Sequence, residues 1–522
     1  MCRTLTRIVV TNSQGSAAAD KAAIVAGIPS RALMQRAGAA AAAEVATRFP
    51  DDLESGVVVA TGSGNNGGDG WVIARALHAA GIATRVVECL DSRTDDAKAE
   101  RALAIEDGVP FDADIESLFR GGEHILIDAL IGTGLTGEEP LRGRMAVAVA
   151  TLNALATQGR IVVAVDVPSG LDASSGLHVG APRSALTLTF GTIKRGHLIA
   201  RELCGVIVVL DIGLGVHTAQ AGSDRLATPA WFRHQLPPIA ADAHKGTRGK
   251  VAIIGGAAGM AGAVILAARA ALRSGAGMVK CAVGPESLLA LQEGEPASLS
   301  TVWPDDDAAF AEQITGFADA ILVGPGLGRP RARELVERAL RCFSGPVVLD
   351  ADALNAFADD ADSLAAMVGE RAALLTPHPA EFARLAGKSV DDVLLGRFGL
   401  PRELARRTRA AVLLKGVPTV VCSARGEVTV VAEGTPVLAT GGAGDVLGGI
   451  AVTLLAQTGD ATLSGALAAF AHGRAAFVVS KRQVRGFALE DVLAALPSVW
   501  TLAIPAPRPP ILVELPAVGE VA

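Results

Sequence analysis

Short β-branched runs alternate with Ala-rich stretches along almost the whole chain, and this alternation narrows the possible fold more than any other feature. Runs this short, apolar throughout and bounded by glycine or polar residues, read as strands buried on both faces. Such strands belong in a mainly parallel sheet, with the intervening helices as crossovers. The first half predicts strands at 57–61, 84–88, 124–128, 161–166, 186–190 and 206–210. The second restarts at 250–254 and continues through 278–283, 320–323, 346–350, 372–375, 411–415 and 418–422. The expected class is α/β, with a parallel sheet in each half.

The 522 residues exceed one ordinary core. Scattered prolines (Pro229, Pro237, Pro238) and lost periodicity mark a boundary. We therefore expect one domain over 1–220, a linker over 221–246, a second domain over 247–502 and a loosely attached Pro-rich tail over 503–522. With 50% hydrophobic and 19% charged residues the chain is not a disordered one. A net charge of −7 argues against nucleic-acid and membrane-surface partners. The six cysteines stand singly, without zinc-type spacing, as reduced thiols do. Arg269 interrupts the most apolar stretch, 255–272, which fits a buried helix better than a membrane span. With no apolar leader after Met1, the expected setting is the cytoplasm.

Polar loops follow three strands of the first half. Gly62, Gly64 and Gly67 match a dinucleotide-binding turn, with Glu88 where a ribose-binding acid would sit, so a dehydrogenase is a rival reading. Asn65, Asn66 and Asp69 add hydrogen-bonding and cation-binding capacity that a plain pyrophosphate turn does not need. A helix is expected to begin near Trp71. Asp128 is followed by the glycine-rich stretch from Gly132 to Gly137, and Asp166 by Val167-Pro168-Ser169-Gly170. In a parallel sheet these loops gather at the carboxyl edge. Asn66, Asp128 and Ser169 offer only oxygen ligands, which suits a hard cation. Lys194 could place an ammonium over the same edge, or lie solvated.

In the second half, Gly441-Gly442-Ala443-Gly444-Asp445 reads as a glycine loop entering a helix, with backbone amides for an anion and one carboxylate placed as a base. Gly324-Pro325-Gly326-Leu327-Gly328, Asp350-Ala351-Asp352, Thr376-Pro377-His378-Pro379 and Lys415-Gly416-Val417-Pro418-Thr419 each end or follow a strand. Helix capping is the plain alternative for Asp350 and Asp352. No Walker A spacing is present.

The ordered motifs around Asn65–Gly70, Asp128–Gly137 and Asp166–Asp172 resemble the NAD(P)H-hydrate epimerase family, whose fold is a Rossmann-like αβα sandwich. The resemblance implies hydrate-binding contacts from Asn65, Asn66, Asp69, Gly132, Thr133, Gly134, Leu135, Thr136, Gly137 and Asp166. It also implies K⁺ at Asn66, Asp128 and Ser169 and a substrate contact at Asp166, which we take as the acid/base candidate, with Lys194 as a further catalytic candidate. The second half is similar to the ribokinase-like superfamily and, within it, to NAD(P)H-hydrate dehydratase. That implies substrate contacts at Ala263, Gly326, His378 and Asp445, and nucleotide contacts at Lys415, Gly416, Val417, Pro418, Thr419 and Gly444.

The resemblance implies a bifunctional repair enzyme for NADHX and NADPHX, with K⁺ in one domain and Mg²⁺ with ADP, or ATP, in the other. In that reading Asp445 is the base that prepares the C6 hydroxyl for phosphorylation. The chain is expected to form a homo-oligomer, with no nucleic-acid or membrane partner. A ribokinase-like vitamin-precursor kinase fused to a nucleotide-binding domain is the main alternative.

Overall fold

In the computed structural model, residues 7–135, 141–482, 485–504 and 506–518 are described. The chain divides into two units: one ends at Arg225 and takes back the segment 506–518, and the other runs from Leu226 to Ile504. Thr136 and Gly137 lie outside the described residues.

Period-2 alternation decides the first unit. Val57, Val59, Ile125, Ile127, Val163 and Val165 join one apolar cluster, while Val58, Ala60, Leu126 and Val162 join another on the opposite face. Helices Ser30–Arg48 and Asn65–Ala79 supply Ala37, Ala41, Trp71 and Ile73 to the first cluster, and Gly143–Thr157 supplies Ala148, Leu152 and Leu155 to the second. The result is an αβα sandwich. The sheet runs Ile511–Leu515, Val206–Leu210, Leu186–Phe190, Ile161–Val165, Ile125–Ala129, Val57–Thr61, Thr84–Glu88, Phe111–Asp112. Every pairing is parallel except the first. Strand order reverses between Val57–Thr61 and Ile125–Ala129, which opens a crevice at their carboxyl ends.

In the second unit the parallel part of the sheet runs Ala411–Leu414, Ala373–Leu375, Val347–Leu349, Ala320–Val323, Lys250–Ile254, Met278–Val283, Leu299–Val302. Thr419–Cys422 and Val428–Val431 extend it in antiparallel pairing. Order reverses between Lys250–Ile254 and Ala320–Val323. Helices Ala261–Arg273, Ala443–Thr458 and Ala461–Ser480 fill the core beside it. Ala461–Ser480 is long and apolar enough to cross a membrane, but 72% of that window is buried inside the protein.

Two expectations are corrected. The segment 221–246 is not a plain linker: helix Pro229–Gln235, capped by Thr228, buries Trp231 and Phe232, and Phe232 stacks on Phe470 with ring centroids 4.5 Å apart. Burying such side chains contributes roughly 1.5–3 kcal/mol each, enough to bind the segment to the second unit. The segment 503–522 is not a loose tail either. Ile511–Leu515 pairs with Val206–Leu210, and Glu514 accepts hydrogen bonds from Arg48. Prolines hid a strand whose apolar residues, Ile511, Val513 and Leu515, alternate.

Candidate active sites

Strand Val57–Thr61 leads into Gly62, where a Cβ would lie 1.8 Å from the Leu130 carbonyl oxygen; only glycine lets the two loops approach this closely. The following helix is Asn65–Ala79, with Gly64 at its cap, so Asn65, Asn66 and Asp69 occupy its first turns rather than a loop ahead of Trp71. Asn65, Asn66, Asp69, Gly132, Thr133, Gly134, Asp166 and Lys194 all line one cavity of about 560 Å³. Leu135 follows this lining without joining it. Glu88 does not take part: Arg101 grips its carboxylate from two nitrogens at 2.7 and 2.8 Å. The dinucleotide fingerprint therefore lacks its ribose acid.

Asp166 sits at the end of strand Ile161–Val165 with φ +65, a left-handed conformation that costs a β-carbon residue on the order of 1 kcal/mol or more. Its amide donates to the Leu188 carbonyl at 2.7 Å. Its carbonyl accepts from His197 Nε2 at 2.8 Å, while His197 Nδ1 accepts from the Lys194 amide at 3.3 Å. Burial and the Lys194 charge push the imidazole down to about 3, so it is neutral and has one tautomer in this arrangement. Lys194, 1% exposed, donates to Asp166 Oδ1 at 2.5 Å and to Thr189 Oγ1 at 2.8 Å. Burial opposes the Asp166 charge, but the Lys194 charge and hydrogen bond, with the Thr189 hydrogen bond adding, together hold the carboxyl below the usual range. The pair is ionic.

Sequence reasoning missed Asp20. It lies on helix Ser13–Val25 and lines the same cavity. Burial raises its carboxyl to about 6 against the pull of Lys194, and burial, with Asp166 and Asp20 adding, raises Asp69 well above the carboxylate range. No local motif announces Asp20, because its site partners stand far away in sequence.

Beneath the cavity, Asp128 is fully buried. Its carboxylate accepts from Ser169 N at 2.8 Å, from Ser169 Oγ at 2.6 Å and from Leu130 N at 3.3 Å. No cationic side chain pairs with it among the described residues, and burial raises it to about 6 despite those hydrogen bonds. Asn66 Nδ2 is buried without a partner, a position that calls for an acceptor or, with the amide turned over, for a cation. Among the described residues no three His, Cys, Asp or Glu cluster as a metal site. An amide, a carboxylate and a hydroxyl form a donor set that fits a hard cation.

In the second unit, Gly442 at φ +90 caps helix Ala443–Thr458 and puts Asp445 in its first turn. Lys415, at the end of Ala411–Leu414, donates to Asp350 Oδ1 at 2.7 Å. Burial opposes the lysine charge, but Asp350, Glu381 and Asp445 raise its pKa overall. Asp445 has no such partner among the described residues; burial, then Asp350, raises it to about 7 although Lys415 pulls the other way. A Cβ on Gly444 would meet Lys415 Nζ at 3.1 Å, so this glycine faces the ion pair.

The remaining predicted residues surround this centre. The Lys415 amide donates to the Pro377 carbonyl at 2.9 Å, beside His378. His378 caps helix Pro379–Ala386, accepting from the Ala380 and Glu381 amides at 3.1 and 3.3 Å. Ala263 lies against Gly326, where a Cβ would be 3.2 Å from the Ala263 Cβ. Asp352 ties the same loop by accepting from the Gly328 amide at 2.9 Å. Gly416, Val417, Pro418 and Thr419 form a turn held from behind by Arg397, whose Nη1 donates to the Pro418 carbonyl at 3.0 Å. Asp350, weighed in the sequence against helix capping, bonds Lys415 instead, and Arg397 was not picked from sequence at all.

A family model described as NAD(P)H-hydrate dehydratase matches residues 251–498, and one described as YjeF-related protein N-terminus matches residues 30–196. A bifunctional NAD(P)H-hydrate repair enzyme of Salinibacter ruber is 38% identical over 517 residues, covering 91% of this chain and 92% of its own. Its counterpart from Moorella thermoacetica is 34% identical over 501 residues, covering 90% and 92%. A solved ADP/ATP-dependent NAD(P)H-hydrate dehydratase from Bacillus subtilis, co-crystallised with ATP and Mg²⁺, is 28% identical with a TM-score of 0.45, covering 52% of this chain and 96% of that one.

Proposed function

The chain belongs to the bifunctional NAD(P)H-hydrate repair enzymes, and we propose that its two activities work through Asp166 in the first unit and Asp445 in the second. As a member of that family it is an enzyme that interconverts (R)- and (S)-NAD(P)HX and dehydrates the (S) form to NAD(P)H at the expense of a nucleotide. The kinase alternative is not favoured, since the similarity runs through both halves.

Dehydration must overcome a poor leaving group, hydroxide at C6 of the nicotinamide ring. Transfer of a phosphoryl group from ADP to that oxygen gives AMP and a phosphate ester. The C6–O bond then breaks with loss of a C5 proton, releasing phosphate and NAD(P)H. The observation that carries this reading is Asp445, left unpaired in a helix's first turn because Lys415 is committed to Asp350. Raised to about 7, its carboxylate has the proton affinity to take the C6 hydroxyl proton near neutrality. The amides of the Gly441–Gly444 turn stabilise charge on the phosphoryl group in flight. Lys415 and the Gly416–Thr419 turn hold the nucleotide, and His378, Ala263 and Gly326 hold the hydrate. The carboxylate excess fits Mg²⁺ arriving with the phosphates, held by Asp350, where it would neutralise phosphate charge.

In the first unit, Asn65, Asn66, Asp69 and the loop from Gly132 to Gly137 would hold the hydrate, with C6 near Asp166 and Lys194. K⁺ at Asn66, Asp128 and Ser169 would supply the countercharge that buried Asp128 lacks. NADHX and NADPHX are both substrates in this reading, ADP is the preferred donor, and the working form is a cytoplasmic homo-oligomer.

The test mixes (R)- and (S)-NADHX with the protein, Mg²⁺ and ADP or ATP. Recovery of the reduced-nicotinamide absorbance from both epimers, faster than spontaneous exchange, is expected with ADP. No recovery with either nucleotide would overturn the assignment of the second site.

A further inference from the structure

Asp20 reaches the epimerase cavity by a construction that the rest of the site does not explain. Strand Val10–Thr11 pairs in parallel with Ile193–Lys194, Thr11 opposite Lys194. Asn12 caps the next helix by accepting from the Gly15 amide at 2.9 Å, and Ser13 bonds Ser174 through its amide at 3.1 Å and its hydroxyl at 2.8 Å. With the helix start fixed, Ser16, Ala17, Asp20 and Ile24 fall on one face and line the cavity beside Asp166 and Lys194.

Inverting C6 requires its C–O bond to break. The N1 lone pair forms an N1=C6 double bond, and the hydroxyl leaves as water if a proton is supplied. Water then adds to the other face of C6, the double-bond pair returns to N1, and a base takes the surplus proton. Atoms and charge balance over the cycle. Asp166, ion-paired to Lys194, suits the acceptor and not the donor. We propose that Asp20 is a catalytic residue of the epimerase, donating the proton that the departing C6 hydroxyl carries away, in partnership with Asp166. This rests on the assignment of the cavity to epimerisation. A carboxyl raised to about 6 can give up a proton and regain it within one turnover, whereas Asp69, raised well above, keeps its own. The charged and titratable groups around Asp20 are Lys194, Asp166 and Asp69, with Asp96 elsewhere on the cavity wall, Lys21 on its own helix and His217 on the turn Gly215–Ala221 packed against it.

The experiment measures exchange of pure (R)-NADHX by chiral chromatography between pH 5 and 9, spontaneous rate subtracted, for the full chain and for Asp20→Asn, Asp20→Glu and Asp166→Asn. Asp20→Asn is expected to lose about a hundredfold in kcat with KM changed little. It should also lose the decline in kcat/KM expected of the unaltered protein above pH about 6; Asp20→Glu should restore part of both. An unchanged rate and profile in Asp20→Asn, with Asp166→Asn inactive, would overturn the role of Asp20 alone. A lower rate with the decline intact would assign Asp20 a structural role and overturn it too. Full exchange in Asp166→Asn would instead overturn the reading of the cavity.

Discussion

The two sites use the same parts and wire them differently. Each has a carboxylate at the edge of a parallel sheet, a lysine paired to a carboxylate (buried in the first, 20% exposed in the second) and a glycine facing the pair. In the first, Lys194 bonds the proposed catalytic carboxylate itself, at 2.5 Å, and holds Asp166 ionised. In the second, Lys415 bonds Asp350, at 2.7 Å, and Asp445 next to them rises to about 7. The choice of lysine partner therefore decides which carboxylate carries a proton at neutral pH. For the proposed phosphoryl transfer a base of high proton affinity is needed, and Asp445, without a lysine partner among the described residues, would provide one.

The comparison is broken most sharply by Asp445→Asn. Nucleotide-dependent dehydration should fall by about 10²–10⁴, the usual contribution of a positioned general base. Exchange of the epimers should stay at its original rate, because Asp445 belongs to the other unit. Separate assays on pure (S) and pure (R) substrate distinguish the two effects. Dehydration retained in full would remove Asp445 as the base.

Replacing the lysines tests the wiring next. Lys194→Met leaves Asp166, 15% exposed, without its partner, and loss of one member of a fully buried pair costs up to about 3–5 kcal/mol. Lys415→Met should cost more, since the carboxylate it orphans, Asp350, is 2% exposed against 15% for Asp166. Urea unfolding followed by probes in each unit should show the larger drop in the second. Equal or reversed losses would mean that burial of the orphaned carboxylate does not set these energies.

Most strands are legible in the sequence because a strand buried on both faces needs a short apolar run, and 57–61, 84–88, 186–190 and 206–210 are observed residue for residue. The start of helix Asn65–Ala79 was missed because Gly67, Gly68 and Gly70 are poor helix formers. Close packing explains them: a Cβ on Gly68 would lie 2.6 Å from the Met34 sulfur, and one on Gly70 2.6 Å from the Ala129 Cβ. In the sites, motifs point to Asp166, Asp445 and the glycine loops, since local spacing encodes them. Asp20 beside Lys194 and Asp350 beside Lys415 are long-range pairings that only the topology creates.

Opposite shifts imply opposite pH dependences of stability. Asp166 has a folded pKa below its unfolded one, so its contribution is present above the unfolded carboxylate range and is lost as pH falls through the folded value. Asp445 is raised, so its contribution is present below the unfolded value, near 3.8, and is lost as pH rises through about 7. Asp445→Asn should therefore unfold later than the unaltered protein at pH 8, by on the order of 1 kcal/mol or ~2–4 °C in the second unit, and no later at pH 4. Calorimetry at both pH values checks it; a gain equal at both would tie the effect to packing instead of charge. The rate of dehydration should rise across the same interval, as Asp445 loses its proton.

The smallest expected effect separates the two glycines. A Cβ on Gly132 would lie 3.0 Å from Asn66 Oδ1 and 3.2 Å from Asp166 Oδ2, two groups held by a helix start and by an ion pair. Neither can retreat without disturbing the reacting geometry, and misplacement approaching 1 Å can cost about 10²-fold. Since a few tenths of an ångström suffice here, Gly132→Ala should slow exchange by roughly tenfold, or ~1.4 kcal/mol in the barrier. At Gly444 the new methyl would meet Lys415 Nζ at 3.1 Å and Asp350 Oδ2 at 3.6 Å. The lysine end lies on a flexible stem and can yield, and alanine also favours the helix that begins there by up to ~1 kcal/mol. Gly444→Ala should therefore lower dehydration by only a few-fold while leaving the second unit as stable as before. If it matches Gly132→Ala in rate loss, the Lys415–Asp350 pair is as rigid as the Lys194–Asp166 pair, and the contrast between the sites lies in partner choice alone.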